Sequence, residues 1–384
     1  MTGKDIRRGR EEKLLVWDLP TRVFHWLLVC AFALAWLTHD DNRFLYVHVY
    51  GGYALLGLLL FRLLWGAFGS HYARFHAFAY DWPSVSAYLK GLITGRAARH
   101  IGHNPAGAWA IFLMLVLGLA VSISGLLVLG GEEGHGPLAG LVSFPVGEAS
   151  REVHELTAWF MLAMVALHLL GVAVESVIHR ENLVMAMISG YKPGAPGARA
   201  AERRGLAALL LLGLAFASAL AYFQGYLAET PDRPFLPFEG PRLPDNALWR
   251  SECGDCHLAY HPTLLPARSW AALLDGQADH FGEDLALDEE TVAALRVFLT
   301  ANAAESHLSE PAWKISLSVP AGEVPLRITE TPYWIRKHRK IDQRYWKSEA
   351  VAGKGDCGAC HLDAEAGTFE DSDMRLPDLT QVAE

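Results

Sequence analysis

The 384-residue chain is short of charge: Asp, Glu, Lys and Arg make up 20% of it, 33 basic against 42 acidic. The resulting net charge of −9 argues against nucleic acid as a partner. No glycine-rich nucleotide-binding loop is present, so nothing in the sequence points to nucleotide-dependent bond-making chemistry. No cleavage-site pattern marks the N-terminus, and the first apolar run reads as an uncleaved signal anchor. Cysteine is scarce: of five, only Cys30 lies outside a Cys-x-x-Cys pair, and it reads as a small buried apolar residue.

What the chain has in quantity is apolar sequence, 52% of the total. Five runs stand out, at about 23–38, 46–66, 107–129, 152–177 and 206–226, most of them near the length of a membrane-spanning helix. Charge divides the chain. Residues 1–228 hold 18 Lys+Arg and 15 Asp+Glu, and the remainder holds 15 and 27. A slightly basic membrane part therefore precedes an acidic soluble part. Lys4, Arg7, Arg8, Arg10, Lys13 and Arg22 crowd the N-terminal segment. Arg74, Lys90, Arg96 and Arg99 follow span two; Arg180, Lys192, Arg199, Arg203 and Arg204 follow span four. The other loops hold only Arg43 and Arg151 among several acids. The positive-inside rule puts the N-terminus in the cytoplasm, and five spans then put the C-terminal part outside.

Span four carries His154 and His168, fourteen residues apart. At about 100° and 1.5 Å per residue they share one helix face, roughly 21 Å apart along the axis. Histidines within a span are costly and mark function. His25 near the inner end of span one matches His168 in depth, and His48 near the outer end of span two matches His154. Two axial imidazoles from different helices at each of two depths is what two six-coordinate b haems need. Gly51, Gly52 and Gly171 would let a flat macrocycle approach the backbone, or serve helix packing. His39 shares a face with His25 but sits in the polar run Thr38–Asn42 and reads as a solvated loop residue. Arg62 either pairs with a haem propionate or snorkels to lipid headgroups. Arg22, His103 and Asn104 cluster in sequence terms at the inner surface and are candidates for a quinone site.

Phe24-His25-Trp26, Val47-His48 through Arg62-Leu-Leu-Trp-Gly66, Ile101-Gly-His-Asn-Pro105, the His154–His168 span and the exit segment Glu181–Tyr191 resemble the prokaryotic cytochrome b561 / nickel-iron hydrogenase cytochrome b family, over about residues 14–192. The resemblance implies a four-helix haem-b module exchanging electrons with membrane quinone. Span five is an addition to it.

Pro231, Pro234, Pro237, Pro241 and Pro244 mark an extended spacer. The soluble part beyond it contains Cys253-Gly-Asp-Cys256-His257 and Cys357-Gly-Ala-Cys360-His361. Cys-x-x-Cys-His is the attachment signal of c-type haem, with two thioethers and the adjacent His as proximal ligand. A four-cysteine zinc site is the alternative, but zinc does not need the following His. Covalent haem is attached outside the cytoplasm, where the charge rule had placed this part. Sixth ligands come from His261, His280, His307, His338 or Met374. His261 follows the first motif too closely to reach round the ring. Arg336, Lys337, Arg339 and Lys340 form a basic cluster beside His338 that neutralises propionates, docks an acidic partner or is simply solvated.

Glu252–Tyr260, Leu264–Trp270, Asp279–Gly282 and Arg327–Tyr333 resemble the dihaem cytochrome c family, over most of 248–376. The resemblance implies bis-histidine haems and supports His280 and His338; nearness in sequence pairs His280 with His257 and His338 with His361. The expected fold is an all-α membrane protein: a four-helix haem-b bundle (1–192), an inner loop and fifth transmembrane helix (193–228), a proline-rich linker (229–247) and a mainly α soluble dihaem cytochrome c domain (248–384). The expected function is electron transfer across a bacterial inner membrane, between quinone and a soluble periplasmic redox protein, through two b haems and two c haems. In related dihaem cytochromes that partner is a small monohaem cytochrome. The competing readings are a membrane anchor for a dehydrogenase or hydrogenase, and a haem-edge superoxide or quinone oxidoreductase, which the acidic outer loops disfavour.

Overall fold

The computed structural model describes residues 13–194, 197–238 and 240–378. Lys4, Arg7, Arg8 and Arg10, and Ala195 and Pro196 of the loop before span five, lie outside them. The chain forms two compact units, each drawing on separated stretches of sequence. Of the described residues, the first unit comprises those within 13–37, 47–125 and 151–222, and the second those within 38–46, 126–150 and 223–378.

Among the described residues, five helices are long and apolar enough to cross a membrane. They are α1 (Leu19–Leu37), α2 (Leu45–Phe68), α4 (Pro105–Gly131), α5 (Phe144–Ile178) and α7 (Gly205–Leu220), which continues as a π-helical turn, Ala221–Tyr226. Shorter α3 (Trp82–Ile93) and α6 (Leu183–Ser189) lie between them. Asp18 opens α1: its Oδ1 accepts from the Thr21 amide at 2.7 Å, with Pro20 in the first turn. Asn104 does the same for α4, accepting from the Gly107 amide at 2.6 Å ahead of Pro105. Helix α5 starts at Phe144, earlier than hydropathy suggests, because Glu148, Arg151, Glu152 and Glu155 interrupt the apolar run without disfavouring helix. At 35 residues it is about 52 Å long, well beyond a hydrocarbon core of about 30 Å.

Phe24, Ala31, Leu58 and Leu211 pack α1, α2 and α7 together, and Leu55, Leu59, Leu115 and Val121 pack α2 against α4. A two-stranded antiparallel ribbon, β1 (Lys13–Leu15) with β2 (Tyr191–Pro193), ties the entry of α1 to the exit of α6. Hydropathy gives no hint of it, since three residues per strand carry no usable period. Buried Lys192 holds it in place, donating to the His100 carbonyl at 3.1 Å and pairing with Glu181 at 3.5 Å. Cys30 is exposed on the surface of α1, not buried as expected.

In the second unit, α8 (Ala247–Gly254), α9 (Ala267–Asp275) and α10 (Glu289–Ala301) enclose a core of Trp249, Leu265, Trp270, Leu274, Leu295 and Leu299. Next come α11 (Glu310–Ser318), α12 (Pro332–His338) and the single turn α13 (Gln343–Trp346). Residues 126–150, the end of α4, the 132–143 loop and the start of α5, fold into this unit. Lys314 on α11 is 1% exposed and sits among Glu310 at 2.5 Å, Glu133 at 3.0 Å and Glu132 at 3.8 Å. The Trp313 ring lies so close to Gly134 that a Cβ there would be 2.0 Å from it. The proline-rich stretch is packed and does not act as a spacer: Phe238 lies against His135, ring centroids 4.5 Å apart, and Gly240 lies against Leu308.

Candidate haem sites

The rings of His48 on α2 and His154 on α5 lie with centroids 6.0 Å apart, nearly perpendicular. A metal–imidazole bond of about 2 Å on each side, with each centroid about 1 Å behind its nitrogen, puts two axial rings about 6 Å apart. The Nδ1–H of His48 donates to the Ala35 carbonyl at 2.8 Å, and that of His154 to the Val121 carbonyl at 2.9 Å. Each bond fixes the tautomer and leaves Nε2 carrying the lone pair, the usual arrangement behind a metal-bound histidine. Gly125 makes room for one of them: a Cβ there would lie 3.0 Å from His154 Cε1. The glycines singled out from sequence divide: Gly51 packs against Ala31 and Ala35, whereas Gly52 and Gly171 have open space around a notional Cβ.

His25 on α1 and His168 on α5 lie within electrostatic reach of each other, and His25 Nδ1 is buried without a partner. Arg62 is 5% exposed, so it does not reach headgroups by snorkelling. Its guanidinium lies 4.6 Å over the Phe75 ring, and Nη1 is buried and unpartnered. His103 lies nearby, packed on Phe78 at 4.2 Å and Trp17 at 4.7 Å, its Nδ1 likewise unpartnered. Burial, then the charges of Arg62 and Lys192, hold its pKa down to about 3. Asn104 and Arg22 are engaged otherwise, Asn104 in capping α4 and Arg22 in donating to the Ile188 carbonyl at 2.6 Å. Orphaned donors beside an imidazole pair fit a group with an iron centre and carboxylate arms.

In the second unit, His257 and His280 stand with ring centroids 6.4 Å apart, and His338 and His361 with centroids 6.2 Å apart. His280 is presented by a tight turn: Phe281 takes a left-handed φ of 58°, and the Gly282 amide donates to Asp279 Oδ1 at 3.0 Å. Arg327 covers Phe281 at 3.8 Å. His338 ends α12; its Nδ1–H donates to the Trp334 carbonyl at 2.8 Å and its ring stacks on Trp334 at 4.2 Å. Tyr260 links the two attachment segments, stacking on His257 at 4.8 Å and donating to the Gly355 carbonyl at 2.7 Å. Burial, then the charges of Glu252 beside Cys253 and Asp356 beside Cys357, push these two thiols up to about 11. No three His, Cys, Asp or Glu side chains among the described residues converge as a metal-ion site. The donor sets are thus imidazole pairs, two of them next to a Cys-x-x-Cys, and they fit haem.

Sequence reading missed a further pair, His261 and His307, with centroids 6.0 Å apart. Both are buried, whereas the other paired imidazoles are half-buried or exposed. His261 Nδ1 bonds Thr263 Oγ1 at 2.7 Å. They line a cavity of about 1020 Å³ in the second unit, together with His135.

The family model for prokaryotic cytochrome b561 matches residues 16–190, and that for dihaem cytochrome c matches residues 249–369. Probable Ni/Fe-hydrogenase B-type cytochrome subunits are among the relatives. That of Azotobacter chroococcum is 25% identical, over 50% of this chain and 93% of its own length. That of Escherichia coli K12 is 22% identical, over 46% and 89%. Among solved structures, a dihaem cytochrome c from Rhodobacter sphaeroides is 39% identical, covering 34% of this chain and all of that one, with a TM-score of 0.30. One from Shewanella baltica is 32% identical, covering 35% and 94%, with a TM-score of 0.29. The chain is a haem-carrying electron-transfer membrane protein that belongs to the prokaryotic cytochrome b561 family over its first half and to the dihaem cytochrome c family over its last third.

Proposed function

We propose that the chain passes electrons across a bacterial inner membrane, between quinone or quinol and a soluble redox protein on the periplasmic side, using two b haems and two c haems. His25 and His168 hold the inner b haem, and His48 and His154 the outer one. Cys253, Cys256, His257 and His280 hold one c haem; Cys357, Cys360, His361 and His338 hold the other. Haem iron, when bound, exchanges single electrons by moving between its ferrous and ferric forms. The chain's residues hold the imidazoles in pairs, which leaves no open coordination position. Arg62 offers a buried cation to a propionate. The proposed division follows the sequence: 1–192, 193–228, 229–247 and 248–384, with the N-terminus cytoplasmic and the last part periplasmic.

One observation carries the reading: three imidazole pairs repeat a centroid spacing of 6.0, 6.4 and 6.2 Å, each pair drawn from two separate segments. A pyridine haemochrome assay on the purified protein should give two b and two c haems. His154→Ala should remove one b haem and leave both c haems attached. Finding fewer than two b haems in the unaltered protein would remove one of the two membrane sites. The relatives named as hydrogenase subunits support a second reading, a membrane anchor for a catalytic partner. Stoichiometric co-purification of a dehydrogenase would favour it.

A further inference from the structure

Helix α5 carries more titratable groups on its ligand face than two haems use. Glu175 lies seven residues after His168, and His179 eleven. At about 100° per residue both return to within about 20° of the His168 direction, roughly 10 and 16 Å further along the axis. His179 stands just past the end of α5 but keeps its helical bond, donating its amide to the Glu175 carbonyl at 3.0 Å. A carboxylate in a membrane helix is costly and marks function. Glu175 is 9% exposed, and its Oε1 is buried without a hydrogen-bond partner. Its Oε2 stands 3.6 Å from His179 Nε2, which is likewise buried and unpartnered. That separation is longer than a hydrogen bond, so neither group satisfies the other.

The other charges facing this pair come from two further segments. Glu181 follows α5 and Lys192 lies on β2, and Glu175 feels both. Lys192 pairs with Glu181 at 3.5 Å and lies within electrostatic reach of His103. Arg99, ahead of α4, also pairs with Glu181, and its side chain is 33% exposed. A cluster of charged side chains therefore runs from a buried, unsatisfied carboxylate to water. All of its members belong to the first unit.

We propose that Glu175 and His179 form a proton-exchange site for the His25/His168 centre, binding one proton as an electron arrives at that iron and giving it up as the electron leaves. This rests on the proposed haem assignment and adds a proton to each electron's passage. The electron is supplied by quinol, on the proposed function. The proton is taken from water at the Arg99 end of the cluster and returns there, so only an O–H or N–H bond of the pair is made and broken. The cause is charge. An electron added at the iron draws a proton to the nearest group with room for one, and Arg62, already fully protonated, has none. The proton belongs to the pair rather than to either member. Two unit charges roughly 12 Å apart, at an effective dielectric of about 20, shift each other's equilibria about tenfold. For a one-electron centre a tenfold change corresponds to about 59 mV.

The test is a potentiometric titration of the full-length protein in detergent, repeated between about pH 5 and pH 9, where a carboxylate–imidazole pair exchanges a proton. One of the two b components should fall in potential as pH rises, by about 59 mV over the whole window, and level off on either side. Glu175→Gln should remove more than half of that fall, and so should His179→Gln, with two b and two c haems retained in each. Should Glu175→Gln fail to assemble, His179→Gln, altered at the very end of the helix, gives the answer alone. Glu202→Gln, which removes an exposed acid ahead of α7, should leave the fall unchanged. His168→Ala should abolish the pH-dependent component. A fall of the same size in the pair variants as in the unaltered protein, or no pH-dependent b component at all, would overturn the proton site. Persistence of that component in His168→Ala would cut its link to the His25/His168 centre. Fewer than two b haems in the unaltered protein would instead sink the haem assignment beneath it.

Discussion

Gly125→Ala is a one-carbon test of the His48/His154 site. The added Cβ would lie 3.0 Å from Cε1 and 3.2 Å from Nδ1 of His154. Non-bonded carbon contacts settle at about 3.5–4.0 Å, so the ring must retreat by roughly half an ångström. It cannot do so and keep its 2.9 Å bond to the Val121 carbonyl, one turn earlier on the same helix. Losing that bond costs about 1 kcal/mol, and it leaves the ring orientation unspecified at the atom that matters. Removal of such supporting contacts weakens metal affinity by about 10–100-fold. The helix itself gains, since Ala is better than Gly in a helix interior by about 1 kcal/mol. Protein yield and thermal unfolding should therefore hold or improve, while the haemochrome ratio moves from two b for two c toward one b for two c. Gly213→Ala on α7, where nothing lies within 4 Å of the new Cβ, is the control and should keep both b haems. If Gly125→Ala keeps two b haems with unchanged low-spin resonances, His154 does not hold the ring the way its hydrogen bond implies.

Arg62→Met should lower the reduction potential of one b haem, and only one, by on the order of tens of millivolts, because removing a buried cation near the iron disfavours the oxidised form less and the reduced form more; a potentiometric titration in which both b components stay fixed would refute it. Lys314→Met leaves Glu132, Glu133 and Glu310 confronting each other and should cost about 3–5 kcal/mol in the second unit. The loss should shrink in acid as those carboxylates take up protons, which chemical denaturation at two pH values would show. Burial first, and then Arg233, lower the His135 pKa to about 4. The unfolded chain therefore binds a proton that the folded one refuses between about pH 6.5 and pH 4, so stability is present above that window and falls on acidification through it by up to about 1.4 kcal/mol per pH unit. His135→Gln should flatten that slope in urea titrations of the second unit, and an unchanged slope would count against it.

The legible parts of this chain are those where one residue type carries a long-range constraint. An imidazole in an apolar run is conspicuous because so few polar groups belong there, and fourteen residues return to one helix face whatever the neighbours are. Cys-x-x-Cys-His is equally local. His280 and His338 were reachable only through family resemblance, since nothing local distinguishes them from His261 and His307. What separates the pairs is burial: His261 and His307 are enclosed, and no sequence period encodes that. Gly125 was invisible for a related reason: its importance comes from His154, a residue on another helix. The 126–150 stretch looked like a plain connector because its acids are unremarkable until Lys314 and Arg336 meet them across nearly two hundred residues. The proline-rich stretch misled because composition reports backbone stiffness and says nothing of what Phe238 finds to pack against.

The two membrane levels also differ in how complete they are as protein alone. At the His48/His154 level both Nδ1 atoms already donate to helix carbonyls, so the rings are oriented before any iron arrives. At the His25/His168 level, His25 Nδ1, His103 Nδ1 and Arg62 Nη1 are all buried without partners. Each such donor costs about 1–3 kcal/mol to bury, more for the charged one. Nothing in α1, α2 or α4 offsets that cost, and Asp18, the nearest acid to Arg62 in electrostatic terms, is already committed to the Thr21 amide and the Trp65 indole. An anionic acceptor brought in from outside would recover that energy, and a porphyrin carries two carboxylates. On the proposed assignment, folding and haem capture would be coupled at the His25/His168 level and separable at the His48/His154 level. The His25/His168 end of the bundle should then be the part that fails first when haem is withheld.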